Sequence, residues 1–178
     1  MKIAIIGSAE EKQSLRIKRL CKNIGNYLSE KDLTILTGGS LGIPGEIVKA
    51  SDLEKVKVIG YSPDKNKNFH NKRFDNLDSK YFSKIKYISG FTARSLQMIN
   101  DCDALILVGG RIGTLSEFTI ALEEGKRLLV IKGSGGIANH LEYILSIANK
   151  EFPDQILFEK DYKNGIDKLI KLIKNKNY

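Results

Sequence analysis

Two segments of the chain carry one pattern, an apolar run that breaks into Gly-Gly-x-x-Gly and resumes as a helix. The first is Ile35-Leu36-Thr37-Gly38-Gly39-Ser40-Leu41-Gly42-Ile43-Pro44-Gly45-Glu46 and the second Ile106-Leu107-Val108-Gly109-Gly110-Arg111-Ile112-Gly113-Thr114-Leu115-Ser116-Glu117. Glycines at a strand-to-helix turn leave backbone N–H groups uncovered at the positive end of a helix dipole, which makes each turn a seat for an anion such as phosphate. Glycine also closes tight turns that bind nothing. Two copies in one chain, at strand ends that a parallel sheet brings to one edge, favour an anionic ligand.

Apolar runs and amphipathic stretches alternate along the rest of the chain. Strands are expected at Lys2 to Ile6, Leu33 to Thr37, Val56 to Tyr61, Ile85 to Ile88, Ala104 to Val108 and Arg127 to Ile131. A helix ending near Ser29 carries Leu15, Ile17, Leu20, Ile24 and Leu28 on one face, and a last helix, Asp161 to Asn175, carries Ile166, Leu169, Ile170 and Ile173. This order predicts an α/β fold, a doubly wound parallel sheet with helices on both faces. With 178 residues, 42% of them hydrophobic, it predicts one domain over residues 1–178. In such a sheet the crevice lies at the carboxyl ends of the strands near the switch point, where Gly7, Gly38 and Gly109 would line it.

The remaining composition narrows the chemistry. No apolar run reaches the roughly 20 residues of a membrane span, and Met1 to Gly7 reads as a first strand rather than a signal peptide, so a cytoplasmic protein is expected. Cys21 and Cys102 lack partners at metal-ligand spacing and read as buried, reduced thiols; His70 and His140 stand alone, so no metal site is expected. The net charge of +8 is scattered lysine, concentrated in Lys168, Lys171, Lys174 and Lys176; it reads as a solvated surface or as a field that attracts phosphorylated ligands or nucleic acid. No aromatic stacking motif interleaves the lysines, which argues against nucleic acid. The polar stretch Ser62 to Lys84 reads as a solvated loop, or as a lid in which Lys65, Lys67, His70, Lys72 and Arg73 close over an anion.

The glycine spacing excludes two common nucleotide motifs. Gly7 is followed by Ser8, Ala9 and Glu10, not by Gly-x-Gly-x-x-Gly, and Gly-Lys-Ser/Thr is absent. The turns suit a single phosphate, or a nucleotide gripped from two sides. Ser8 with Glu11, and Thr114 with Glu117, have the spacing of capping boxes, which alone explains all four residues. Ser8 nonetheless leaves the first strand at the ligand edge, and a carboxylate at Glu117 beside an anion seat would hold ribose hydroxyls or a water. Arg94, in Ser-Gly-Phe-Thr-Ala-Arg-Ser-Leu-Gln-Met, opposes the dipole of the helix it begins, so it needs an anionic partner, a bound phosphate or Glu117; a surface arginine is the plainer alternative.

Thr37 to Gly45, Ser89 to Arg94 and Gly109 to Glu117 resemble the Rossmann-like Lonely Guy group of nucleotide-binding proteins, often labelled lysine decarboxylases. The likeness runs from Ile3 to about Leu141 and extends to the molybdenum cofactor carrier branch, whose ending is similar to Gly133-Ser134-Gly135-Gly136. The resemblance implies a phosphoribohydrolase that cleaves nucleoside 5'-monophosphates to free base and ribose 5-phosphate, with no cofactor required. By position, Glu117 and Arg94 would be the catalytic pair. Gly110, Gly113 and Thr114 would hold phosphate, and Gly38, Gly39, Ser40 and Gly42 would frame the other side of the ligand. Gly109 stands at the group's proline and Arg111 at its second glycine, so Arg111 either adds a phosphate contact or obstructs the usual pose; Ser95 replaces a lysine. The alternative is a non-catalytic carrier or sensor for a nucleotide or a molybdopterin-type cofactor. The resemblance also implies a homodimer or larger homo-oligomer.

Overall fold

The computed structural model describes residues 1–10, 12–73, 76–148 and 155–175. Seven strands form one sheet: β1 (Lys2–Gly7), β2 (Thr34–Thr37), β3 (Lys57–Ser62), β4 (Lys84–Tyr87), β5 (Ala104–Val108), β6 (Arg127–Ile131) and β7 (Ile156–Glu159). Every pairing is parallel, in the order β4-β3-β2-β1-β5-β6-β7. The helices are α1 (Leu15–Ser29), α2 (Gly42–Ala50), α3 (Lys67–Lys72), α4 (Phe91–Asp101), α5 (Ile112–Glu123), α6 (Leu141–Ala148) and α7 (Tyr162–Asn175). This is the doubly wound α/β arrangement that the alternation predicts. The six expected strands lie within one residue of their expected limits.

Strand side chains alternate between two cores because successive Cβ atoms point to opposite faces. Ile3 and Ile5 pack with Ile17, Cys21, Ile24 and Leu28 of α1, Ile43 and Ile47 of α2, and Ile166 and Leu169 of α7. Ala4 and Ile6 turn the other way, to Met98 and Ile99 of α4, Phe118 and Leu122 of α5, and Leu141 of α6. β5 is buried along its whole length, as a central parallel strand covered on both faces must be. Both thiols lie in these cores, where burial pushes Cys21 and Cys102 up to about 12. The stripe of α7 packs as expected; of its lysines, Lys176 lies outside the described residues.

Three expectations change. The first helix does not start at a Ser8–Glu11 capping box: its N-cap is Ser14, whose hydroxyl accepts from Ile17 N–H, and Ser8 Oγ instead accepts from Glu10 N–H at 3.2 Å. Glu11 lies outside the described residues. Leu15 is consequently the first helical residue, 86% exposed, not part of the apolar stripe. β7, absent from the sequence reading, is a four-residue edge strand, half-buried throughout, whose three consecutive apolar residues do not alternate and are too few to mark a strand.

The stretch after β3 is not one loop. It holds α3, whose Asn66 cap accepts from Asn68 and Phe69 N–H, and a 3-10 turn at Ser79–Tyr81. His70 is buried there, with Nδ1 3.0 Å from Ser62 Oγ and Nε2 3.3 Å from the Leu77 carbonyl. It anchors this segment to the sheet and does not line the cleft described below, so it has no place in a lid over an anion.

Candidate active site

The strand order turns back between β1 and β5: the chain runs outward from β1 to β4, then crosses to the other side of β1. The loops after those two strands diverge, and the crevice between them is where such sheets bind ligands. A cleft of about 910 Å³ opens there. Gly7, Ser8, Gly38 and Ser40 line it from the ends of β1 and β2. Arg94 and Ser95 enter from α4, and Arg111, Gly113, Thr114 and Glu117 from the start of α5.

The floor is an ion pair. Arg94 Nη1 donates to Glu117 Oε1 at 3.0 Å, and Ser95 Oγ donates to the same oxygen at 2.9 Å. Each charged side chain is 12% exposed. Burial raises the Glu117 carboxyl above the usual carboxylate range, while Arg94 and Ser95 pull it back down. The capping-box alternative for Thr114 and Glu117 therefore does not hold. α5 starts earlier, with Arg111 as its cap and no side chain closing it, so Thr114 and Glu117 both lie inside the helix. Helical spacing then turns Glu117 toward α4 instead of back to the cap.

Gly38 makes room for this pair. A Cβ at residue 38 would sit 2.5 Å from Arg94 Nη1, so only glycine lets the guanidinium lie over the end of β2. Arg94 Nε is buried without a hydrogen-bond partner, which leaves one donor of the site unsatisfied. Ser95, read from the sequence only as standing in place of a lysine, is a member of the site through its hydrogen bond to Glu117.

The two glycine turns, alike in sequence, are unlike in use. In the first, Ile43 N–H donates to the Ser8 carbonyl at 2.8 Å, and Pro44 has no N–H to give, so the start of α2 is spent within the protein. Gly39 accepts from Leu77 N–H, and Gly42 packs against the backbone of Ser8 and Ala9; neither lines the cleft. Glu46 pairs with Lys49 at 3.1 Å on the outside. In the second turn, Gly113 has open space where a Cβ would be, and Gly113 and Thr114 face the cleft at the first turn of α5. Gly109 and Gly110 are tied to the loop after β6: Gly109 N–H donates to Ser134 Oγ at 2.8 Å, and their carbonyls accept from Ala138 and Ile137. Gly110 takes a φ of 99°, with Thr114 packed where its Cβ would point.

The second helix N-terminus at the cleft is instead that of α4, where Phe91 and Thr92 lie on the lining. Two helix dipoles thus point their positive ends into one crevice. At its mouth, Arg111 Nη1 lies 3.4 Å from Glu10 Oε2, an exposed pair that spans from the β5–α5 turn to the loop after β1. Among the described residues, no group of three His, Cys, Asp or Glu side chains is placed to hold a metal ion.

A doubly wound parallel sheet with a buried Arg–Glu pair in the cleft at its switch point defines a Rossmann-like α/β protein. Residues 1–169 match the family model described as the SLOG cluster4 family, and the chain belongs to that family. A relative from Archaeoglobus fulgidus, an uncharacterized protein, is 32% identical over 133 residues, 74% of this chain and 80% of its own length. The crystal structure of TM1055 superposes with a TM-score of 0.79 at 21% identity, covering 96% of this chain and 98% of that one. The molybdenum cofactor binding protein from the phototrophic bacterium Rippkaea orientalis gives a TM-score of 0.76 at 20% identity, covering 97% and 96%. Both likenesses establish the fold. Among the described residues no helix is long and apolar enough to cross a membrane.

Proposed function

We propose that this chain binds a nucleoside 5'-monophosphate, or a closely related phosphorylated small molecule, and hydrolyses its N-glycosidic bond to free base and ribose 5-phosphate. The observation that carries the reading is Glu117, a carboxylate buried at the floor of a cleft into which two helix N-termini point. The free amides at the start of α5, with Gly113 and Thr114, hold the 5'-phosphate, and Arg111 adds a cation at the mouth. Arg94 and Ser95 both bind Oε1 of Glu117, which turns Oε2 to the ribose. As the bond from C1' to the base nitrogen breaks, positive charge develops on the sugar, and the carboxylate stabilises it. Water attacks C1' and gives its proton to Glu117, and the base leaves with the bond's electron pair and takes up a proton. Binding energy from the remote phosphate positions the sugar for this attack.

A carrier for a molybdopterin-type ligand is the second reading, and two observations favour it. The cleft volume lies toward the upper end of the range for small-ligand sites, with room for a fused ring system. Arg111 stands where the enzyme pattern has a glycine. In that reading the same amides and arginines would hold the phosphate of the pterin. Nucleic acid is the less favoured reading, since no aromatic interleaves Lys168, Lys171 and Lys174, and none of the residues of α7, which carries them, lines the cleft. We read the protein as a cytoplasmic homodimer or larger assembly.

The test is base release from a panel of nucleoside 5'-monophosphates by wild type and Glu117→Ala, with binding followed in the same samples. Release that falls by 10²-fold or more in the variant while binding persists supports the hydrolase. Binding without release in the wild type makes the protein a carrier.

A further inference from the structure

Eight large apolar side chains are exposed among the described residues, and two of them, Phe91 at 58% and Ile112 at 81%, lie on the lining of the cleft. Each is the first residue of one of the two helices whose N-termini face the ligand. Their backbone is therefore committed to the polar end of the cleft while their side chains leave an apolar rim beside it. A phosphate needs no such rim.

Phe91 is also held from behind. The Arg73 guanidinium lies over its ring at 4.9 Å, and Arg73 Nη1 is fixed by Asp64 Oδ1 at 3.2 Å. Asp64 in turn accepts from Asn76 at 3.1 Å, and this set of contacts holds its carboxyl below the usual range against the effect of burial. A cation thus lies over the ring while the side chain stays 58% exposed. An aromatic ring oriented by a cation–π contact, more than half exposed, and placed on a cleft wall has the geometry of a stacking surface.

We propose that Phe91 is the platform on which the planar ring of the ligand stacks, with Ile112 closing the apolar rim; for a nucleotide that ring is the base. This inference rests on the nucleotide reading above and deepens it. It places the base at the start of α4, the phosphate at the start of α5, and the sugar over Glu117 between them. Recognition by stacking also tolerates different bases, because every base has a π-face.

The test is calorimetric binding of AMP, GMP, CMP, UMP and ribose 5-phosphate to the full chain, as wild type, Phe91→Ala and Phe91→Trp. The expected result is that Phe91→Ala weakens the wild type's preferred nucleotide by about tenfold or more, that Phe91→Trp retains it, and that ribose 5-phosphate changes by less than about twofold. Loss of nucleotide and ribose 5-phosphate affinity in equal measure, or no loss of either, overturns the platform and leaves the nucleotide reading standing. Ribose 5-phosphate bound as tightly as every nucleotide overturns it too. Failure of the wild type to bind any of the five removes the nucleotide reading and the platform with it. Solution mass is measured on the same samples: if Phe91→Ala changes the oligomeric state and not nucleotide affinity, the ring is a subunit contact and the proposal falls.

Discussion

Arg94 Nη1 and Glu117 Oε1 meet at 3.0 Å and join α4 to α5 across the floor of the cleft, with Gly38 underneath and Ser95 on the same oxygen. The pair is mostly buried, so neither charge is stabilised by water alone, and removing one leaves the other uncompensated.

Arg94→Met keeps the aliphatic bulk and removes the charge. It is expected to cost about 3 kcal/mol at neutral pH, read from urea unfolding. The cost shrinks as pH falls, because Glu117 then takes a proton and no longer needs a counter-charge. A cost independent of pH would mean that packing, and not the ion pair, sets it.

The raised carboxyl of Glu117 also carries a sign. Between the ordinary carboxylate range and its raised value, the folded state holds a proton that the unfolded chain has lost. Its contribution is therefore present at low pH and lost as pH rises through the folded value. Glu117→Gln should flatten that part of the stability–pH curve. In the hydrolase reading the ionised form works, so base release falls on the acid side with a midpoint above the usual carboxylate range. Ser95→Ala, which removes a hydrogen bond to the charged form, moves that midpoint higher still.

Gly38→Ala is the smallest change that reaches the site. The added methyl group would sit 2.5 Å from Arg94 Nη1, so the guanidinium must shift from the position in which it meets Glu117. In the hydrolase reading the expected loss of base release is on the order of 10²-fold with the helical content unchanged, since a displacement of about 1 Å in a positioned group costs that much. Circular dichroism and the release assay on one sample check it. Retained activity would show that Arg94 is free to move.

Neither thiol should react in the native state. Cys21 and Cys102 are in the cores with pKa values pushed up to about 12, so almost no thiolate exists at neutral pH. A chromogenic disulfide reagent is expected to detect no thiol in the folded protein and both in denaturant. Fast labelling of either without denaturant would contradict its burial.

The sheet was legible because its signal is local. Runs such as Ala104 to Val108 and Leu128 to Ile131 are continuous apolar segments, and covered parallel strands require that pattern. β7 was not, because its run of three apolar residues, Ile156 to Phe158, is too short to mark a strand by itself. The start of α1 was misplaced because two cap-like serines, Ser8 and Ser14, precede the helix; only the packing of the apolar stripe from Ile17 onward decides which one caps.

The candidate site divides along the same line. The sequence by itself determined that two strand–glycine–helix units occur in an alternating α/β chain, and that Arg94, unless it is a surface side chain, needs an anionic partner, a phosphate or Glu117. Only the tertiary structure decided that Glu117 is that partner, that Ser95 joins it, and that the start of α2 is spent on the Ser8 carbonyl while the starts of α4 and α5 face the cleft. The physical reason is that a turn's sequence sets which amides are left free, whereas what fills them is set by the strand order. β5 crossing to the far side of β1 brings together residues 22 or more positions apart, and no local pattern records that meeting.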